Sequence, residues 1–437
     1  MFAAFRKPGS LVKANTPSAG ALSVIERDRD AVRSELCDAA EGLLWLGTSM
    51  LRAGNTAFRT RECMDLLAKK LSFDGISVAL TFDTVIASIR RTGERVTMAR
   101  EIGLPGVNAW RIGELEKLAQ TAEFGTNAQE TAADLARIES ASPLYTRTQI
   151  AAAVGAASGA FAFLNGCGAT EIWVAAVSSA LGQSARSQLA RRQFNQYGAT
   201  ALSAVVAAGM YVAIAALSTR AGWGTADHPA GFMSSVLFLV PGFPLVAALL
   251  DLLEHQTVAA FSRFAYGIMM FLAATFGLSI IVGIVRIDLS PHPPVELGYS
   301  LTLLLKGAAS FVGGYGFALL FNSPARTAFA VGLLALAANE FRLMLVDAGM
   351  ALAPATFFGA LTIALAALLL DRRLNVPRIT ITVPSIIIMV PGVYAFETIV
   401  FFNRGQMLEA LQTLAACSFV IGAMAMGLAT PRFFSKS

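Results

Sequence analysis

The sequence predicts an α-helical polytopic membrane protein with about ten transmembrane helices in two five-helix inverted repeats, preceded by a small α/β domain. Three observations carry this. First, 55% of the 437 residues are hydrophobic and only 14% are charged, against roughly 25% charged in soluble domains; the mean hydropathy is +0.60. Second, the charges concentrate before about Thr148, and the rest is a series of apolar runs with short polar breaks, the pattern of a soluble part followed by membrane spans. Third, two apolar runs, at Phe238–Phe243 and Ile388–Val393, each contain a Val-Pro-Gly, 150 residues apart. A proline inside a helix removes a hydrogen bond and clashes with the preceding turn. At membrane depth that is tolerated only where the freed backbone faces protein or a water-filled cavity.

Residues 1–34 read as a flexible tail: Arg6, Lys7, Pro8 and Lys13 interrupt the apolar pieces, so the continuous core of a signal peptide is missing. Residues 35–142 read as the α/β domain. Apolar residues recur at helical spacing through Ala39, Leu43, Leu46, Met50 and Leu51, Gly54-Asn55 breaks that helix, and a second helix runs from about Arg59 to Leu71. The β-branched runs Gly75–Phe82 and Val85–Arg90 predict a hairpin, with a third strand near Arg95–Met98 after Thr92-Gly93. Helices at about Ile112–Ala122 and Ala128–Ile138 follow, with Asn127 and Glu130 spaced as a capping box. No histidine precedes His228, which excludes a Ser-His or Cys-His arrangement in this domain. Ser49, Cys63 and Asp83 fit a helix surface, a buried small residue and a hairpin turn. Cys37, Cys63, Cys167 and Cys417 are too scattered for a zinc site or a disulfide framework.

Ten runs have the length of a span: about 149–165, 170–186, 199–218, 231–252, 261–285, 298–320, 327–346, 350–370, 380–401 and 407–429. They divide into repeat 1 (143–287) and repeat 2 (298–431), separated by a Pro-rich linker (288–297) and followed by a tail (432–437). Val-Pro-Gly falls in the fourth span of each half. An odd number of spans per half makes the second enter the membrane in the opposite sense, as in the inverted repeats of secondary transporters. With the α/β domain in the cytoplasm, ten basic residues (Arg186, Arg191, Arg192, Arg263, Arg326, Arg372, Arg373, Arg378, Arg432 and Lys436) are inside, against Arg220, Arg286, Arg342 and Arg404 outside. This predicts a multi-pass protein of the cytoplasmic membrane with both termini inside and Trp173 and Trp223 at the outer interface. The net charge of +5 belongs to that bias and calls for no nucleic-acid partner.

The breaks mark the expected substrate site: Pro241, Gly242 and Pro244 in the first half, Pro391, Gly392 and Tyr394 in the second. Free N–H groups at one half-helix start suit a carboxylate, and free carbonyls at the other suit an ammonium group. Asp251, Glu397 and Lys306 are candidate coupling residues, because ionisable groups inside apolar runs are costly. Each has a plainer reading: a loop position for Asp251, snorkelling for Glu397 and Lys306. Glu340 and Arg342 read as an interfacial ion pair.

Met50–Thr56, the hairpin at Val78–Arg90, Leu239–Leu245 leading to Asp251-Leu252-Leu253, and the second Val390–Val393 together make the chain resemble the threonine/serine exporters over about Glu35 to Arg432. It departs in the apolar Ala247–Leu250 approach to Asp251 and in the N-terminal tail. The resemblance implies proton-driven export of threonine, serine or similar small amino acids; the residues themselves suggest no cofactor or metal. No Gly-x-x-x-x-Gly-Lys-[Ser/Thr] occurs, so ATP is not the evident energy source. A transporter of another small carboxylate, a membrane sensor or assembly protein whose first domain binds a ligand or partner, and a membrane-embedded enzyme are the competing classes. The last lacks clustered catalytic residues. A homo-oligomer is left open.

Overall fold

The computed structural model describes residues 19–125, 127–224, 229–285 and 298–434. The expected linker 288–297, with Asp288 to Pro294, as well as Arg286 and Lys436, lies outside them. The N-terminal domain contains α1 (Ala19–Arg52), α2 (Ala57–Lys70), β1 (Gly75–Leu80), β2 (Thr84–Arg91), β3 (Glu94–Glu101), α3 (Ala109–Thr121) and α4 (Ala128–Ser140). The strands form an antiparallel sheet in the order β1-β2-β3. Thr92 (φ 51°) and Gly93 (φ 86°) make the tight turn that joins β2 to β3, both in the left-handed region such hairpins need. Alternation sets the sheet's inner face: Val78, Leu80, Val85, Ala87 and Ile89 are buried and pack with Leu43, Met50, Met64 and Leu115 of the helices in one core.

Two expectations need correcting. Helix α1 begins at Ala19, within the stretch expected as tail, because no proline or glycine interrupts the helix-compatible run from Ala21 to Arg33. The reciprocal capping box sits at Thr146/Gln149, at the start of the next helix; the Asn127 side chain accepts from the Gln129 N–H, with no return bond from Glu130 among the described residues.

The remaining helices are α5 (Arg147–Leu164), α6 (Ala169–Arg191), α7 (Gln196–Arg220), α8 (Pro229–Ser234), α9 (Gly242–Leu253), α10 (Thr257–Ile284), α11 (Tyr299–Leu320), α12 (Ala325–Asp347), α13 (Leu352–Leu374), α14 (Arg378–Ile386), α15 (Gly392–Asn403) and α16 (Met407–Phe434). Short 3₁₀ turns, Leu237–Leu239 and Ile387–Met389, follow α8 and α14. Among the described residues six helices are long and apolar enough to cross a membrane (α7, α10, α11, α12, α13 and α16), or up to eight if each bent pair, α8–α9 and α14–α15, counts as one span. The first two expected runs fall on α5 and α6, which are rich in Ala, Gly and Ser and are outside those eight. Large apolar side chains such as Phe261, Phe276, Leu304, Leu369 and Phe419 point outward, as a lipid-facing surface requires.

Helix contact depends on small residues. A Cβ at Gly277 of α10 would run into the Ala201 carbonyl of α7, and a Cβ at Gly427 of α16 would run into the Phe357 carbonyl of α13. The same contact thus recurs at two places in the bundle.

Candidate functional site at the paired helix breaks

The two Pro-Gly pairs interrupt their helices identically. Pro241 and Pro391 each have φ −78° and ψ 55°. The following N–H, of Gly242 or Gly392, donates to the carbonyl of Val240 or Val390 at 2.8 Å. Each is an inverse γ-turn centred on proline, whose fixed φ suits it. The axes bend by 64° and 51° at these points. The turns are packed together: a Cβ on Gly242 would meet Ile387 and Val390, and one on Gly392 would meet Leu237 and Val240. Residues that are 150 apart in sequence therefore form one crossing point.

Space opens on both sides of it. Towards the N-terminal domain lies a cavity of about 370 Å³, lined by Pro241, Gly242, Pro244, Gln183, Arg186 and Arg263, and by Gly54, Phe82 and Pro105 of that domain. On the far side a cavity of about 170 Å³ is lined by Pro391, Gly392, Tyr394, Asn165, Asn339 and Arg342. Between them is a void of about 10 Å³ whose walls are Phe161, Leu237, Val240, Gly242, Phe317, Ile387 and Val390. Phe161 and Phe317 meet edge to face across it, with ring centroids 5.9 Å apart.

The six expected substrate-site residues thus divide three and three between two cavities, joined only through the apolar crossing. Sequence reasoning missed the polar side chains facing them. Gln183 and Arg186 stand one turn apart on α6, and Asn339 and Arg342 stand one turn apart on α12. Gln183 and Asn339 are 6% and 0% exposed. Asn339 donates to Ser310 Oγ (2.8 Å) and accepts from Arg342 Nε (3.0 Å). Gln183 has only a 3.5 Å contact from Nε2 to Ser187, and its Oε1 is buried without a partner. The legible signal was a carboxamide three residues before an arginine at the same depth of the second and seventh apolar runs. Arg186, Arg263 and Arg342, counted from the sequence only as charges on the inner or outer side, are helix residues lining cavities. The expected Glu340–Arg342 pair does not form among the described residues: Arg342 turns to Asn339, and both Glu340 carboxylate oxygens are buried without a hydrogen bond. Positions two apart on a helix face different ways.

Glu397 on α15 and Lys306 on α11 are half-buried and line neither cavity. Asp251 also lines neither, and it is fully buried rather than in a loop. Its Oδ1 accepts from the N–H groups of Ala57 (2.7 Å) and Phe58 (3.4 Å), the first residues of α2. Its Oδ2 lies 3.7 Å from Arg263 Nη1. A carboxylate at a helix N-terminus satisfies free donors and complements the helix dipole. Arg263 in turn donates to the Asn55 carbonyl (2.7 Å). The Asn55 amide donates to Glu116 (3.1 Å), which pairs with Arg59 (2.9 Å). Burial opposes the Arg59 charge, but the bond and charge of Glu116 outweigh it and hold the guanidinium above its ordinary value. The Gly54-Asn55 break and the Asp251 segment, distant in sequence, are thus a single junction between the domain and the bundle.

Comparison with known proteins places the chain in a family. Residues 42–285 match a family model described as "Putative threonine/serine exporter", and residues 306–434 match one described as "Threonine/Serine exporter, ThrE". A "Probable threonine/serine exporter" of Mycobacterium tuberculosis is 25% identical over 398 residues, 85% of this chain and 73% of that protein. A "Probable succinate transporter subunit YjjP" of Escherichia coli is 23% identical over 236 residues, 53% of this chain and 89% of that protein. An uncharacterised protein of Haemophilus influenzae is 28% identical over 141 residues, and the chain spans about half (48%) of its length. No solved structure matches. With both family models placed along the chain and six to eight membrane-length segments around the breaks, the protein is a multi-pass membrane protein of the threonine/serine exporter family.

Proposed function

We propose that the chain is a secondary transporter exporting threonine and serine across the cytoplasmic membrane by alternating access. Its ten helical segments would form two inverted five-helix repeats, with both termini in the cytoplasm. The observation that carries the reading is the back-to-back pair of proline γ-turns, with one cavity on each side and a closed apolar crossing between them. Broken helices at a repeat interface are where such transporters hold their solute. Two further observations support the repeat. The Gly277 and Gly427 contacts recur at equivalent places in the halves. A relative named as a subunit is matched over 89% of its length by about half of this chain, as expected if two half-transporters are joined here.

The proton gradient would drive export, with Glu397 as the exchanging carboxyl. Asp251 is assigned instead to the domain junction, since both its oxygens face groups of that junction. A second reading, a small dicarboxylate such as succinate, is favoured by the lining of the cavities. Each holds an arginine, Arg186 or Arg342, and neither holds a carboxylate that could receive an ammonium group. The test is accumulation of labelled threonine, serine and succinate in inverted vesicles under an imposed proton gradient. Wild-type protein is expected to accumulate one of these classes, and Pro241→Ala and Pro391→Ala to slow it severely. Gradient-dependent accumulation of none of them would overturn the proposal.

A further inference from the structure

We propose that the two cavities are the same carboxylate receptor built twice, with Arg186 as the anion-binding group on the N-terminal domain's side and Arg342 on the far side. This rests on the transporter reading above and names the chemical class of its solute. In each cavity an arginine stands one turn after a carboxamide, Gln183-x-x-Arg186 or Asn339-x-x-Arg342, and faces the start of the helix that follows a Pro-Gly turn. In α6 and α12 these pairs occupy the same positions counted from the helix starts at Ala169 and Ala325. The aromatic pair at the crossing is duplicated as well: Phe161 lines the far cavity and Phe317 the near one.

The groups are unused by the fold. Arg186 makes neither a hydrogen bond nor an ion pair among the described residues, although it is only partly exposed. Arg342, which lines the far cavity, spends Nε on Asn339, and its two terminal nitrogens have no carboxylate partner among the described residues. Arg263, the other cation of the near cavity, is already neutralised by Asp251. Each cavity thus offers one uncompensated guanidinium, which matches a carboxylate with two parallel hydrogen bonds. The N–H groups left over at these helix starts, that of Phe243 in α9 and those of Val393 and Tyr394 in α15, add donors at the same end of each cavity.

The buried Gln183 gives the near receptor a second element. Its Oε1 has no partner. Turning the amide over would exchange that orphan acceptor for an orphan donor, so either way one polar atom is left for a solute. A buried group left so is costly unless something binds it. The solute is therefore a small carboxylate with a hydrogen-bonding group a few ångströms from its carboxyl. A hydroxylated amino acid and a short dicarboxylate both satisfy this. Handover between the cavities requires the apolar crossing to open, and one guanidinium on each side keeps the anion paired before and after.

The test uses the full chain, purified in detergent, with threonine and succinate as probes and threoninamide and succinamide as controls. The carboxylates are expected to raise the thermal midpoint and the amides not to. Arg186→Gln and Arg342→Gln should each weaken that response roughly ten- to a hundredfold in concentration, as expected for lost charge-assisted bonds. The Lys variants should recover part of it, and serve in place of any Gln variant that does not fold. In oriented vesicles, Arg186→Lys should raise the KM measured from the domain side and Arg342→Lys the KM from the far side. Equal stabilisation by carboxylates and amides, no response of wild type to either carboxylate, or equal KM changes on both faces from each variant would overturn the paired receptor. Carboxylate binding that survives without gradient-driven accumulation would instead overturn the transporter reading and leave the receptor in place.

Discussion

Asp251→Asn and Asp251→Ala separate the two jobs of the junction between the N-terminal domain and the bundle. The carboxylate is fully buried and lies 3.7 Å from the 5%-exposed Arg263 side chain. At an effective dielectric of about 20, two charges at that distance attract by about 4 kcal/mol. Removing one partner of a buried pair costs about 3–5 kcal/mol, because the other charge is left uncompensated. Asn keeps an oxygen to accept from the Ala57 and Phe58 N–H groups, so Asp251→Asn should cost about 3 kcal/mol, the low end of that range. Asp251→Ala also loses the helix cap, worth about 1 kcal/mol more. Asp251→Asn combined with Arg263→Met removes both charges and should recover most of the loss, since apolar replacements of buried pairs are often neutral. The assay is thermal unfolding together with hydrogen exchange of the peptide spanning residues 55–60. Exchange there should accelerate by nearly a thousandfold in Asp251→Ala, from a loss of about 4 kcal/mol at tenfold for each 1.4 kcal/mol. Unchanged exchange at Ala57 and Phe58 in that variant would refute the junction, whatever happens to the melting temperature.

Further outcomes follow from other packing details. Gly392→Ala places a Cβ on Leu237 Cδ1, whereas at Gly242 the nearest atom is Ile387 Cγ1 at 3.5 Å. Gly392→Ala should therefore destabilise by about 1–3 kcal/mol and Gly242→Ala much less, as read by thermal unfolding; equal effects would contradict the packing. Burial opposes ionisation of Glu139, but the hydrogen bond from Ser49 (2.6 Å) and the charges of Arg52 and Arg111 outweigh it and hold its carboxyl below the ordinary range. A lowered folded value means stability present above the unfolded value and lost as pH falls through the folded one. Docking of α4 on α1 should weaken as pH falls below the ordinary glutamate value of 4.5, and Glu139→Gln should flatten that loss in a pH series of melting temperatures. Burial, and then the Glu116 charge, pushes the Cys63 thiol up to about 12. In native protein at about pH 8, close to the range where a free thiol ionises, iodoacetamide should modify Cys37, the one cysteine that is not buried. It should reach Cys63 only after unfolding, as mass spectrometry of digested protein reports.

Local patterns made much of this architecture readable. Strands β1 to β3 follow from β-branched alternation and Thr92-Gly93, and the two helix breaks follow from proline chemistry that acts within a few residues. What lay beyond the sequence was long-range contact. Asp251 looks like a helix-end residue until α2, far away in the chain, places its N-terminus on the carboxylate. Arg186 and Arg342 look like interfacial charges at span ends, because hydropathy falls off near them. Only the bending of α8–α9 and α14–α15 shows that polar helix ends border cavities. The start of α1 was missed for the opposite reason: a charged helical stretch such as Glu26–Arg33 carries little apolar periodicity to detect.

The void where the two γ-turns cross has a consequence for the membrane itself. At about 10 Å³, with apolar side chains and the Gly242 backbone as its walls, it is at the lower limit of the space one water needs, roughly 10–15 Å³, and offers no polar side chain to hold it. Without a file of water, protons and small ions have no relay through the bundle. In this conformation the crossing is a barrier to ions, so on the transporter reading proposed above a resting copy should leave the membrane's ion gradients intact.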